Sequence, residues 1–248
     1  MELTLHDLNT SIVGRRIVHY RTLPSSMDAA RKLASDGAPE GTVVLCDEQT
    51  EGRGRQGRKW FASPSSSILM SVVFRPTTRQ LPQLNMLGSL SIVNTIEKVS
   101  GMRSSIKWPN DVLISGRKVA GILMESVLQG QALQAAILGV GLNISLDVSS
   151  YPEISSIATS LAAEAGRRFE RSDVLRTLLQ EMDALYLAIK RGEEVYSLWL
   201  RHVETVGQIV RITSGRSEEE GLAESVNPDG SLVLRRADGS RVTIATGE

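Results

Sequence analysis

The chain has 248 residues, 41% of them hydrophobic, enough to bury a sizeable core and to hold more than one domain. Lys plus Arg and Asp plus Glu both number 28, so no global field draws the chain to DNA or to an anionic membrane, and a basic cluster acts only locally. The single cysteine, Cys46, excludes an intramolecular disulfide, and three scattered histidines beside one thiol offer no zinc site.

A reducing cytoplasm fits that cysteine usage. The first twenty residues contain no charged segment followed by an apolar run, and no stretch approaches the roughly 18 apolar residues of a membrane span, so neither export nor insertion is expected. The segment from Ser26 to Asp36 reads as a helix, with an acid in its first turn, apolar residues at helical spacing and a glycine stop. TVVLCDEQ (42–49) is strand-like, ILMSVVF (68–74) is a buried strand, and LNMLGSLSIVNTIEKVSG is a helix ending at Gly101. DVLISGRKVAGILMESV reads as two strands joined at Ser115-Gly116, and ALQAAILGVGLNI as a third after a turn at Gln129-Gly130. This pattern predicts a mixed sheet with helices packed against it.

From 158 to 200 the sequence turns helical, most clearly in SDVLRTLLQEMDALYLAIKRG. Beyond a boundary placed near Glu204 the segments are short, alternating and bounded by Asn-Pro-Asp-Gly and Asp-Gly, as in a small β-barrel or sandwich. The expected class is therefore α+β, with domains at 1–203 and 204–248.

The stretch EGRGRQGRKW (51–60) carries three glycines, Gly52, Gly54 and Gly57, interleaved with Arg53, Arg55, Arg58 and Lys59. A dinucleotide fingerprint would need a helix starting inside it and an acid about 20 residues on, and neither is present. A P-loop would need Ser or Thr after its lysine, where Trp60 stands, and a kinase loop would need valine in place of Lys59. What remains is either a solvated basic turn or an anion loop in which arginine forks supply charge and glycines let the backbone approach the ligand. A second cluster favours the anion loop. KWPND (107–111) brings together Lys107, Asn110 and Asp111, with Pro109 fixing the backbone between them. Lys118 then opens the apolar strand VAGIL, from which an ammonium can point into a dry cleft.

With GRGRQGR (52–58), KWPND, GRKVAGILME (116–125) and GVGLN (139–143) in this order, the chain resembles the biotin protein ligases over roughly residues 20 to 246. That resemblance implies a catalytic domain akin to class II aminoacyl-tRNA synthetases, followed by a small SH3-like β-barrel. It implies a ligase that joins biotin to ATP as biotinoyl-5'-AMP and passes the acyl group to a lysine of a biotin carboxyl carrier protein, using Mg2+ and with no resident metal ligands. Biotin would be bordered by Ser25, Ser26, Gln49, Gly52, Arg53, Lys118 and Gly121. ATP would be bordered by Arg55, Arg58, Trp60, Lys107, Asn110, Asp111, Lys118 and Asn143. Lys118 and Arg53 would be catalytic, and Asp111 would help hold magnesium.

Met27 and Gln56 stand where the family often has Asn and Arg, so the ligand hydrogen bond and loop charge of those positions do not carry over. The end at Gly247-Glu248 likewise leaves out a tail contact to ATP. The resemblance leaves a homodimer open. The roughly twenty residues before the ligand segment are too few for a helix-turn-helix reader, so no DNA partner is expected. Two alternatives stand beside this reading: a lipoate or octanoate ligase, which matches the arginine loop and KWPND less well, and a non-catalytic biotin sensor, against which the presence of Lys118 and the arginines argues.

Overall fold

The computed structural model describes residues 8–214 and 217–247. Residues 1–7, part of the opening stretch read for a leader, and Glu248, part of the tail reading, lie outside the described residues. Strands β1 (Ile17–Leu23), β2 (Val43–Gln49), β3 (Ser67–Phe74), β4 (Ser105–Lys107), β5 (Asp111–Ile114), β6 (Arg117–Gln129) and β7 (Ala132–Asn143) form one sheet in the order β1-β2-β3-β7-β6-β5-β4. Only β1 and β2 are parallel, so the sheet is mixed, as expected.

Every residue of the central β3 is buried, because both faces of the sheet are covered. Alternation along β2 sends Val44 to one face, where it meets Met27, Ala30 and Ala34 of α1 (Ser26–Ser35), and Leu45 to the other. That second face holds the main core, under α2 (Leu81–Ser100) and α4 (Arg171–Lys190), with the short α3 (Leu161–Ala165) and α5 (Tyr196–Leu200) beside them. Helix α2 stops where expected: Gly101 adopts φ +73, and its N–H reaches the carbonyl of Glu97.

The hairpin between β6 and β7 turns one residue later than expected, at Gly130-Gln131, because Gly130 supplies a positive φ of +60. Strands β1 and β4 were not anticipated. After residue 204 come β8 (Ile209–Ser214), β9 (Ser217–Val226), β10 (Leu232–Arg235) and β11 (Arg241–Ile244), antiparallel in the order β11-β10-β9-β8. The expected small β unit is thus present as an open four-stranded sheet; among the described residues no ladder joins β8 to β11 into a closed barrel. It is tied to the larger unit by Trp108, whose indole N–H donates to the Gly230 carbonyl at 2.8 Å, and by the Tyr196 hydroxyl, which donates to the Val226 carbonyl at 2.5 Å.

Candidate functional site

The start of α1, the loop 51–60, the KWPND turn, the first half of β6, the second half of β7 and the loop 154–158 converge on a cavity of about 220 Å³ over the middle of the large sheet. Its wall carries six cationic side chains, Arg53, Arg55, Arg58, Lys59, Lys107 and Lys118, and one carboxylate, Asp111. In a chain of zero formal net charge, this concentrates positive potential on one hollow. Every residue assigned from the sequence lines it except Gly52, which is buried beside it: a Cβ there would lie 3.3 Å from Gln49 Nε2 and from the Trp60 carbonyl.

At one end, Ser25 occupies the N-cap position of α1, yet its hydroxyl caps no helix amide. The capping is done from β2, where Gln49 Oε1 accepts from the Ser26 N–H at 2.7 Å. Ser25 Oγ instead accepts from Arg53 at 3.3 Å, and Ser26 Oγ pairs with Ser71 Oγ at 2.8 Å. Met27, buried on the same wall, fits because Gly139 opposite lacks a side chain: a Cβ there would come within 2.6 Å of the thioether sulfur.

The loop 51–60 is an ordered arch. Trp60 N–H bonds the Gly52 carbonyl at 2.9 Å, Gly54 N–H bonds the Arg58 carbonyl at 2.7 Å, and the tip turns through Gln56 and Gly57 with φ of +54 and +74. Gln56 takes a left-handed conformation that ordinarily favours glycine. Arg53 forks onto both oxygens of Asp28, at 2.7 and 2.8 Å, and lies 3.5 Å from Glu125. The guanidinium holds the Asp28 carboxyl below its usual range. Arg55 sits deeper, where burial lowers its pKa, and donates to Asn110 Oδ1 at 3.2 Å and to the Thr246 hydroxyl.

Lys118 reaches the cavity through an irregularity in β6. Gly121 pairs with Asp111 and Ala120 with Val112, but Leu113 pairs with Lys118, so Val119 is an extra residue in the ladder. The inserted residue changes the alternation, and Lys118 and Gly121 share a face: a Cβ on Gly121 would lie 3.2 Å from Lys118 Nζ. Beyond the end of β7, the Lys118 backbone is held by loop residues, donating to Ile157 and accepting from Thr159, both at 2.8 Å. The ammonium is not in the dry cleft that the sequence suggested. It is 32% exposed and paired with Asp111 Oδ1 at 2.7 Å, because the KWPND turn brings the carboxylate to the same wall.

Trp60 lies across Gly121 and Gly141, which face each other in register. A Cβ on Gly141 would come within 2.5 Å of the indole, and one on Gly121 within 3.0 Å. Lys118 Nζ sits 5.5 Å from the ring centroid. The indole N–H is buried and meets no acceptor among the described residues, so it is a donor that a ligand can take up. Asn110 and Asn143 brace the wall as well as line it. Asn110 donates to the Ile122 carbonyl at 2.6 Å; Asn143 donates to the Thr159 carbonyl at 3.0 Å and accepts from Ser67 Oγ at 3.2 Å.

Several lining residues were not assigned from the sequence. Gly139 and Gly141 were legible in GVGLN, since an i, i+2 pair on a strand shares one face. Ile154, Ile157 and Ala158 come from an irregular loop whose sequence carries no pattern; Phe61 joins that side by packing on Tyr151 with ring centroids 5.6 Å apart.

Residues 18–143 match the biotin/lipoate A/B protein ligase family, and residues 205–248 match the biotin protein ligase C terminal domain. The chain belongs to the biotin/lipoate A/B protein ligase family. It is 32% identical over 237 residues to the bifunctional ligase/repressor BirA of Bacillus subtilis, covering 94% of this chain and 73% of that protein. It is 31% identical to the biotin--[acetyl-CoA-carboxylase] ligase of Paracoccus denitrificans, covering 86% of this chain and 91% of the other. Among solved structures, the biotin protein ligase of Aquifex aeolicus in complex with biotin and ATP superposes with a TM-score of 0.80 at 26% identity, covering 94% of this chain and 97% of that one.

Proposed function

We propose that this member of the family activates biotin with ATP and transfers the biotinoyl group to a lysine of a biotin carboxyl carrier protein domain. The observation that carries the reading is the excess of six cations over one carboxylate on a cavity whose remaining lining combines glycine, aromatic and aliphatic surface with a few hydroxyl and amide groups. An apolar bicyclic ring with one urea and one carboxylate suits the end formed by Ser25, Ser26, Gln49 and Met27. A triphosphate suits the end formed by Arg55, Arg58, Lys107 and Lys118.

The chemistry needs no protein nucleophile. Biotin's carboxylate is ionised at neutral pH; its oxygen attacks the α-phosphorus, the bond to the bridging oxygen breaks, and pyrophosphate leaves with that electron pair. The obstacle is repulsion between two anions, which Lys118 and the arginines counter by holding them in contact. The neutral carrier amine then attacks the acyl carbonyl of biotinoyl-5'-AMP, the acyl carbon–oxygen bond breaks, AMP departs with that electron pair, and the proton shed by the new amide leaves with the AMP phosphate, while the arch 51–60 keeps water out. Magnesium would enter with ATP and would neutralise part of the phosphate charge. Among the described residues no three His, Cys, Asp or Glu side chains converge, and Asp111 is the carboxylate at hand.

The test is ATP–pyrophosphate exchange with biotin, lipoate or octanoate, followed by labelling of a carrier domain. Exchange driven by biotin together with carrier labelling is expected. Exchange driven by lipoate or octanoate instead would overturn the substrate, and biotin binding with neither exchange nor labelling would overturn catalysis.

A further inference from the structure

Arg55 lies on the boundary between two cavities. The main one is described above. A second, also about 220 Å³, opens at the junction with the C-terminal sheet and is lined by Arg55, Asn85, Met124, Trp199, Asp229 and Ala245 among others. An arginine placed there has two hollows to choose from, so something must fix its fork. One nitrogen donates to Asn110 Oδ1 at 3.2 Å; the other donates to the Thr246 hydroxyl, which belongs to the C-terminal unit. Thr246 is itself held on both sides. Ile244 pairs with Leu232 at the end of β11, and Gly247 is tucked against β8, where a Cβ would meet the Ile212 side chain at 2.3 Å.

We propose that Thr246 is a positioning residue for Arg55: the tail of the C-terminal sheet pins the loop arginine at the nucleotide end of the main cavity before the nucleotide arrives. Two points separate this from a packing role. Thr246 is exposed, so its methyl buries little, and its bond goes to the one arginine of the loop that the second cavity would otherwise receive. A fork already ordered loses less freedom when it meets a phosphate. The C-terminal sheet is then part of the nucleotide site although it supplies none of the residues lining the main cavity.

This inference rests on the ATP-binding half of the proposed function. The test is Thr246→Val, which keeps shape and removes the hydroxyl, read by ATP titration without acid substrate and by biotin-dependent exchange. Expected are an ATP affinity and an ATP KM weakened about 3- to 10-fold, within the ordinary net range of a single hydrogen bond, with the biotin KM unchanged. Thr246→Ser is expected to restore both, and Arg55→Ala to abolish the effect of the valine variant in a double-mutant cycle. Wild-type ATP affinity in Thr246→Val, or an undiminished effect in the Arg55→Ala background, would overturn it. If the wild type shows no biotin-driven exchange but its ATP affinity still responds to Thr246→Val, the ligase reading fails and this one stands. A wild type that binds no ATP sinks both.

Discussion

Gly121 and Gly141 face each other across β6 and β7, and the indole of Trp60 fills the space their side chains would take. Trp60, which the resemblance places beside ATP, is through this glycine pair both cavity wall and packing element. Gly141→Ala places a Cβ within 2.5 Å of Cε2 and Cζ2 of the indole, and since Gly141 is in a strand its backbone cannot easily retreat. The expected cost is about 1–3 kcal/mol of overpacking, seen as a lower urea midpoint, together with a raised KM for ATP, which Trp60 is expected to border. Combining it with Trp60→Phe, which removes the colliding ring edge, is expected to recover most of the stability. A double variant whose loss equals the sum of the two single losses would mean that the indole is not what the new methyl strikes.

At the scale of elements, what was legible followed length and punctuation. Helix α2 and strands β2, β3, β5 and β6 sit within a few residues of where period, apolar runs and glycines put them. Strand β1 reads IVHYRTL with no residue fully buried, so its side chains give no clean alternation, and β4 has only three residues. The motif residues were legible because the site is built from short-range patterns. Thr246 and the 154–158 loop were not, since their roles depend on which distant element lies opposite. One such long-range tie holds the entry to β1: Asp183 of α4 accepts the backbone N–H groups of Ser11, Ile12 and Val13 at 2.7, 2.8 and 2.8 Å. Asp183→Ala strands those donors, the last of them buried, and is expected to cost about 2–4 kcal/mol. Hydrogen exchange would check the mechanism, with protection lost first at the amides of 11–13; unchanged protection there would show that the carboxylate is not the anchor.

For the molecule as a whole, the covering of the large sheet by α4 depends on a largely buried ion pair. Arg171, at the start of α4, donates to Asp47 Oδ1 at 2.6 Å, to the Cys46 carbonyl at 2.9 Å and to the Ser67 carbonyl at 3.0 Å, joining the helix to β2 and β3. Burial by itself would raise the Asp47 pKa, but His19, 3.1 Å away on β1, and Arg171 together hold it below the usual value. A carboxyl whose folded pKa lies below its unfolded value of about 3.9 contributes stability that is fully present above that value and is lost as pH falls through the folded one. The wild type is therefore expected to exceed Asp47→Asn in urea midpoint at pH 7, with the gap narrowing below about pH 4 as the native carboxylate takes up its proton. A gap of constant size between pH 7 and pH 3 would mean that the variant is weakened by altered packing alone, and that the charge on Asp47 does not hold α4 to the sheet.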